Sequence, residues 1–227
     1  MLVDVIIPAW NEEMSIPKVI QAIPKNVVRE VIVVDNNSTD RTKDVAAAAG
    51  ATVLLETFQG YGAACLKGID YINHKDTKPD VVAFMDADFS DFPEQLVELL
   101  EPIEKRNMDM VIGSRALGKR QDGSMMPQQI FGNWLATSMM RILYKVNFTD
   151  LGPFRTIKLD VLNSIGMQDK TYGWTVEMQV KIAKANKTFE EVPVDYKRRI
   201  GTSKIAGTVK GTILAGYKII TTIIKYR

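Results

Sequence analysis

Two aspartates that lie two residues apart, Asp86 and Asp88, are the residues whose type and spacing best suit chemistry. They follow residues 81–85 (VVAFM), an uninterrupted apolar run that predicts a strand buried on both faces. If the chain is still extended there, a two-residue period places both carboxylates on one face. Carboxylates bind Mg²⁺ or Mn²⁺, and such ions usually complete their shells with water and substrate phosphates. The stretch is a candidate metal–diphosphate site; the alternative is a solvated acidic turn before a helix that begins at Pro93.

The first half of the chain alternates short apolar runs with helical patterns. Ser38 is the expected N-cap of the second helix, which Gly50 closes. Helices of about 10–15 residues between strands indicate a parallel, doubly wound sheet, whose ligands bind beyond the carboxyl ends of its strands. The predicted strands are 2–8, 31–34, 52–55, 81–85 and 110–113. One predicted helix begins at residue 12, and three more cover 38–49, 60–73 and 93–106.

The second half is more polar and less regular. A glycine-containing loop over 118–127 precedes a helix predicted over 128–146. Further on, the sequence predicts strands at 154–157 and 189–194, a helix at 174–185, a basic loop at 197–204 and a last helix at 207–227. No repeat or linker separates these elements, so we expect one domain over 1–227.

Composition excludes several classes of protein. The 227 residues carry 29 basic and 27 acidic side chains, a net charge of +2, which does not favour nucleic acid as a partner. The lone Cys65 excludes an internal disulfide and suits a reducing compartment. No signal peptide and no apolar run of about 18 residues is expected, so the predicted location is the cytoplasm or the surface of a membrane.

Loops at the ends of the predicted parallel strands are expected to meet in one crevice. Asp35, Asp86 and Asp88 follow predicted parallel strands, and so does the turn at 8–12 with the aromatic side chain of Trp10. These groups suit a nucleotide, with an acid for ribose or base and a metal for the phosphates. The sequence contains neither the Gly-x-Gly-x-x-Gly pattern after the first strand nor a Walker A loop.

Eight short motifs, in this order, resemble those of family-2 glycosyltransferases with the GT-A fold. The later motifs are most similar to dolichyl- or polyprenyl-phosphate mannose or glucose synthases. The resemblance extends over roughly residues 3–210 and implies an α/β fold with a mostly parallel, doubly wound sheet and helices on both faces. The motifs are 7–13 (IPAWNEE), 33–40 (VVDNNSTD), 60–64 (GYGAA), 85–88 (MDAD), 113–115 (GSR), 150–155 (DLGPFR), 177–178 (EM) and 198–204 (RRIGTSK).

The resemblance implies a role for each matching residue. Asp86 and Asp88 match the metal-binding pair, and Ser90 lies where relatives often place a further ligand, usually glutamine. The residues implied to bind the donor are Pro8, Ala9, Trp10, Glu12, Asp35, Asn36 and Gly62. The basic residues implied to hold donor or acceptor phosphate are Arg115, Arg198 and Lys204. Residues 1–115 would then bind the nucleotide sugar, 116–206 would face the acceptor, and 207–227 would form an amphipathic helix.

The implied activity is a single displacement with inversion at the sugar. A polyprenyl phosphate is already an anion and needs no general base, whereas a hydroxyl acceptor needs one, for which Glu177 and Asp150 are the candidates. Asp150 has a second interpretation, a structural ion pair with Arg155. Three hypotheses follow: transfer of a hexose from GDP-mannose or UDP-glucose to a polyprenyl phosphate, transfer to a soluble or glycan hydroxyl, or an inactive nucleotide-sugar-binding protein. Oligomeric state is open.

Two helical segments have more than one interpretation. The apolar residues of 128–146 indicate either core packing or an interfacial surface edged by Arg141 and Lys145. The last helix is more apolar than a free surface helix, so it must cover the sheet, a partner or a membrane face.

Overall fold

One seven-stranded sheet forms the centre of the protein. A computed structural model describes residues 1–201 and 209–227, and within them the strand order is β3-β2-β1-β4-β6-β5-β7. The strands are β1 (Val3–Ala9), β2 (Glu30–Asp35), β3 (Thr52–Leu55), β4 (Val81–Phe84), β5 (Met110–Ser114), β6 (Arg155–Lys158) and β7 (Phe189–Pro193).

The sheet is mostly parallel, which confirms the predicted fold class. β1 pairs in parallel with β2 and β4, β2 with β3, and β5 with β7. β6 alone runs antiparallel, between β4 and β5. The carboxyl ends of β1, β2 and β4 therefore lie at the same edge, where the sequence places its acidic residues.

Helices cover both faces of the sheet. Along β1, Ile6 belongs to one apolar core, while Val5 and Ile7 belong to the other, as the two-residue period of a strand requires. A 3₁₀ turn, Pro93–Gln95, leads into the fourth helix. The helices are α1 (Ile16–Ala22), α2 (Thr42–Ala48), α3 (Tyr61–Asn73), α4 (Leu96–Arg106), α5 (Pro127–Tyr144), α6 (Leu159–Ile165), α7 (Trp174–Lys184) and α8 (Val209–Lys225).

The second helix begins later than the sequence predicts. α2 starts at Thr42, and Ser38 does not cap it; the Ser38 hydroxyl instead accepts the backbone N–H of Asn11 at 2.9 Å. The N-cap residue is Arg41, whose side chain makes no capping bond, and Asp40 accepts the backbone N–H of Thr42, the first residue of the helix, at 2.9 Å. Gly50 follows the helix with φ +96°, a left-handed conformation that suits glycine and agrees with the prediction.

The last helix packs on the domain itself. Ile223 is fully buried, and its carbonyl accepts the Tyr144 hydroxyl of α5 at 2.5 Å. Lys218 forms an ion pair with Asp169 at 2.9 Å. The inner face of α8 therefore covers the domain itself, one of the possibilities for this helix. In the part of the chain that is described, no helix combines the length and apolar character needed to cross a membrane.

Candidate active site

A pocket of about 300 Å³ opens at the carboxyl ends of β1, β2 and β4. Such a crevice is where open α/β sheets bind ligands, and this volume is at the lower end of the range for small-molecule sites. Its lining residues are Pro8, Ala9, Trp10, Glu12, Asn36, Gln59, Gly60, Tyr61, Asp86, Ala87, Asp88, Thr171, Tyr172 and Arg199.

Asp86 lines this pocket. Its Oδ1 atom is inaccessible to solvent and has no hydrogen-bond partner among the described residues. Burial, with the negative charge of Asp88 beside it, raises the pKa of Asp86 to about 7, although the Tyr61 hydroxyl donates a hydrogen bond to it. A cation at this position would favour the ionised form and supply the missing partner.

Asp88 is held in place by the turn that follows it. Its Oδ1 accepts the backbone N–H of Ser90 at 2.9 Å and the Ser90 hydroxyl at 2.5 Å. Phe89 adopts φ +59°, a left-handed conformation that is rare for an aromatic residue and costs roughly 1–3 kcal/mol. Ser90 therefore orients the Asp88 carboxylate, in addition to any contact that it makes with a metal.

The acidic pair fits a divalent ion that arrives with a diphosphate. Within the described residues, no cluster of three or more histidine, cysteine, aspartate or glutamate side chains is arranged to hold a metal. Asp86 and Asp88 supply hard oxygen ligands, and one of these oxygens is buried without a partner. Mg²⁺ typically binds through one or two carboxylates together with substrate phosphates and water, which matches this donor set.

A third carboxyl, Asp91, lies behind the pair and was not predicted from the sequence. It is 2% exposed, and its two oxygens have no partner in the described structure. Burial, together with Asp86 and Asp88, raises the pKa of Asp91 well above its usual value. Asp91 therefore adds to the negative potential behind the pocket only when it is ionised.

The expected donor-binding residues mostly line the pocket. Pro8, Ala9, Trp10 and Glu12 surround its mouth, and the Trp10 side chain is 39% exposed there. Asp35 ends β2 next to the pocket and is 3% exposed. Its Oδ1 has no partner in the described structure, so this acid is available to a ligand that reaches β2.

Asn36 has a structural task as well. Its amide Nδ2 donates to the carbonyls of Glu56 and Phe58 at 3.0 and 2.7 Å, and its Oδ1 accepts the Gly60 N–H at 2.7 Å. These bonds hold the segment from β3 to α3 against the end of β2. Asn36 thus shapes the wall that carries Gln59 and Gly60.

Gly62 does not line the pocket. A Cβ atom at this position would lie 2.0 Å from the carbonyl oxygen of Asp169, and the next residue, Ala63, donates its N–H to Lys170 at 2.9 Å. The absence of a side chain lets the 169–171 segment pack against the start of α3. Its contribution to the donor site is indirect, because that segment carries Thr171 into the pocket wall.

Arg115 lies outside the pocket, contrary to the expected contact with phosphate. Its Nε and Nη2 donate to Asp150 at 2.8 and 2.7 Å, and its backbone N–H donates to the same carboxylate at 2.7 Å. The guanidinium also stacks on the Tyr196 ring at 5.1 Å. Arg115 is therefore a structural partner of Asp150, in a pair whose side chains are 11% and 1% exposed.

The expected pair of Asp150 with Arg155 does not form either. Arg155 is fully buried and donates instead to the carbonyls of Leu151, Gly152 and Thr175. Burial lowers the pKa of Arg155 to about 10. This arginine holds together the backbone of the 151–155 turn and the start of α7.

Glu177 faces the interior and not the pocket. Its carboxylate accepts the backbone N–H groups of Gln168 and Asp169, the Tyr226 hydroxyl at 2.7 Å and the Lys181 ammonium at 2.8 Å. Burial acts to raise its pKa, but the donors, Lys181 first among them, lower it overall. A carboxylate with this many partners is poorly placed to act as a base.

The basic loop contributes a residue that the sequence did not single out. Arg198 turns away from the pocket, and its Nε donates to the Asp122 carbonyl at 2.8 Å. The neighbouring Arg199 lines the pocket, with Nη2 3.2 Å from Asp88 Oδ2. Lys204 falls outside the described residues. Two adjacent arginines in a loop are indistinguishable by sequence pattern, because the backbone direction decides which one points inward.

Comparison with known proteins identifies the family and agrees with the fold. The glycosyl transferase family 2 profile matches residues 4–166. An uncharacterized glycosyltransferase of Mycobacterium tuberculosis is 34% identical over 215 residues, which cover 94% of each chain. An undecaprenyl-phosphate mannosyltransferase of Micrococcus luteus is 34% identical over 228 residues, covering 93% of this chain and 90% of the relative.

Among solved structures, glucosyl-3-phosphoglycerate synthase from M. tuberculosis, in complex with Mn²⁺, UDP and phosphoglyceric acid, superposes with a TM-score of 0.80. It is 20% identical, and the match covers 99% of this chain and 78% of that one. This likeness shows a shared fold. The chain belongs to glycosyl transferase family 2, has the GT-A fold and is a glycosyltransferase.

Proposed function

We propose that this glycosyltransferase moves a hexose from GDP-mannose or UDP-glucose to a polyprenyl or dolichyl phosphate, with inversion at the sugar. The observation that carries the proposal is the pocket at the strand ends, which is lined by Asp86, Asp88, Trp10 and Arg199. The relative at 34% identity that is named undecaprenyl-phosphate mannosyltransferase supports the acceptor class.

The donor would bind with Mg²⁺ or Mn²⁺. Asp86 and Asp88 would hold the ion, which would offset the negative charge that develops on the departing nucleoside diphosphate. Structures of the fold relative with Mn²⁺ and UDP, and with Mg²⁺ and UDP, support this choice of ions. Trp10 and Asp35 would contact the base and ribose, and the segment with Thr171 would cover the sugar.

The acceptor side favours an anion over a hydroxyl. A hydroxyl acceptor requires a base within hydrogen-bond reach, and both candidates, Glu177 and Asp150, are occupied by structural partners. A lipid phosphate is ionised and attacks without a base. Arg198 and Lys204 remain proposed contacts of that phosphate, and Arg199, next to Arg198 in sequence, lines the pocket.

A membrane surface would present this acceptor. Along α5, Ile130, Phe131, Trp134 and Ile142 are 45%, 60%, 60% and 77% exposed. The rings of Phe131 and Trp134 lie 5.8 Å apart, and the basic Arg141 lies on the same exposed side. An apolar, aromatic face edged with basic residues is typical of helices that lie at an anionic membrane surface. We place the protein at the cytoplasmic face of a membrane, as a peripheral enzyme.

Trp134→Asp is expected to reduce binding to phosphatidylglycerol vesicles by at least about tenfold, because it places a charge in the apolar face. Co-sedimentation measures the bound fraction. Val97→Asp is the matched control: Val97 is 44% exposed on α4, on the opposite side of the sheet, and this change should have no effect. Equal binding of the Trp134 variant and the unchanged protein to the vesicles would contradict the proposed contact of α5 with the membrane surface.

Thermal stability in the presence of nucleotides tests the donor. A ligand that binds only the folded state stabilises it by mass action and so raises Tm. At a concentration of 100 times its Kd, the gain in the free energy of unfolding is about 2.7 kcal/mol. GDP, UDP, GDP-mannose and UDP-glucose are compared with and without Mn²⁺. We expect one base to give a shift that needs the ion. No shift with any of the four would contradict the proposed donor.

A further inference from the structure

Arg199 links two acidic side chains that come from different loops. Its Nη2 lies 3.3 Å from Glu12 Oε1 and 3.2 Å from Asp88 Oδ2. The Arg199 side chain is 30% exposed, and its Nε is buried without a partner in the described structure. The guanidinium thus keeps one unused donor in the described structure, on a side chain that lines the pocket.

The backbone builds this contact into the fold. The N–H of Lys197 donates to the Ser90 carbonyl, and the N–H of Ile200 donates to the Asp88 carbonyl, each at 2.9 Å. These two bonds clip the loop to the acidic segment on both sides of Arg199. The backbone therefore fixes the position of Arg199 relative to Asp88, and the ion pair does not depend on the side chains alone.

Charge explains why a cation is needed at this point. Asp86, Asp88 and Asp91 lie within one short segment, and Glu12 adds a fourth acid from the β1 loop. Asp88 and Glu12 are 5% and 9% exposed, and two carboxylates repel each other more strongly at such buried positions than in water. Arg199 places one positive charge between Asp88 and Glu12, in the region that a divalent ion would enter.

We propose that Arg199 is the resident cation of the donor site and makes binding of the divalent ion depend on the nucleotide. The inference rests on the proposed metal–diphosphate function of the same pocket. An ion that binds without a nucleotide must displace Arg199 from the Asp88 carboxylate. It then lies beside the positively charged guanidinium, and this repulsion weakens its binding. An ion that arrives with a diphosphate brings anionic oxygens, to which the freed guanidinium donates in its preferred two-point geometry.

Isothermal titration with Mn²⁺ alone, and then with UDP and GDP at saturating Mn²⁺, tests this role. Arg199→Met is expected to bind Mn²⁺ alone about tenfold more tightly than the unchanged protein, because the competing charge is gone. Its affinity for the preferred nucleotide should fall about tenfold, because a phosphate contact is lost. Arg199→Lys keeps the charge and should retain weak binding of Mn²⁺ alone. Misfolding would weaken both affinities and cannot produce opposite changes.

Lys197→Met is the matched control. It also removes one positive charge from the loop, but the Lys197 ammonium lies over the rings of Phe89 and Phe92, at 3.3 and 4.3 Å. Both affinities should stay within about twofold of the unchanged protein, since this charge is not on the metal-binding carboxylates.

Two results separate the possible failures. If the unchanged protein binds Mn²⁺ and nucleotide together, but Arg199→Met binds Mn²⁺ alone no more tightly than it does, the role of Arg199 is overturned and the donor site stands. If the unchanged protein binds neither nucleotide at any Mn²⁺ concentration, the proposed donor site fails and the inference about Arg199 fails with it.

Discussion

Asp88→Asn is expected to reduce sugar transfer by roughly 10³-fold or more, because it removes a charged ligand at the point where negative charge develops on the leaving group. Asparagine has nearly the same size, and its side-chain oxygen can accept the two Ser90 donors that now hold the Asp88 carboxylate. The fold should therefore be retained. Initial rates at saturating donor and Mn²⁺ measure the loss, and the melting temperature reports on folding.

Asp44→Asn is the control for this variant. Asp44 lies exposed in the first turn of α2, away from the pocket lining, and its loss should leave the rate unchanged. A rate for Asp88→Asn near that of the unchanged protein would contradict the proposed role of Asp88 as a metal ligand.

Arg115→Met is expected to lower the free energy of unfolding by about 3–5 kcal/mol, because it leaves the carboxylate of Asp150 buried without its cation. Three donors from Arg115 reach this one carboxylate, and Asp150 is 1% exposed. The backbone N–H remains in the variant, but the charge does not. Denaturation in urea, followed by circular dichroism, measures the change.

Two comparisons sharpen the test. Arg106→Met breaks an exposed pair with Glu190, whose side chains are 47% and 32% exposed, and should leave the free energy of unfolding almost unchanged. Adding Asp150→Asn to Arg115→Met removes the uncompensated charge and should recover part of the loss. An Arg115→Met variant with unchanged stability but weaker nucleotide binding would restore the phosphate role that the sequence predicts.

The sequence predicts the elements best where one local signal dominates. The strand at 52–55 is found as β3, and the helix predicted over 60–73 is found as Tyr61–Asn73. The apolar run that begins at Val81 is indeed a buried strand, with polar chemistry at its end. These signals are periodic or compositional and need no knowledge of distant residues.

Non-local features are the ones that the sequence does not reveal. The antiparallel direction of β6 depends on how the chain returns after α5, which no local pattern encodes. The short helix α6, of seven residues, was missed because it contains too few turns for a clear period. Ser38 is a good cap by residue type, but its hydroxyl is used by Asn11, 27 positions away, which no local pattern reveals.

The same distinction separates the site residues. Asp86, Asp88 and Trp10 directly follow strands, so their meeting in one pocket follows from the sheet topology. Arg115 and Glu177 match motifs equally well, but their partners settle their roles, and Asp150 lies 35 positions from Arg115. A buried partner at that separation is invisible in sequence, whereas a strand end is not.

The measurement that tests the proposed activity most directly is transfer of labelled hexose to undecaprenyl phosphate in detergent or vesicles, with Mn²⁺ present. GDP-mannose and UDP-glucose serve as donors, and 3-phosphoglycerate serves as the soluble acceptor for comparison. We expect one donor to give a labelled product that extracts into organic solvent, with none formed when Mn²⁺ is removed by chelation. Label found only in a water-soluble product would contradict the lipid-phosphate acceptor and indicate a soluble one.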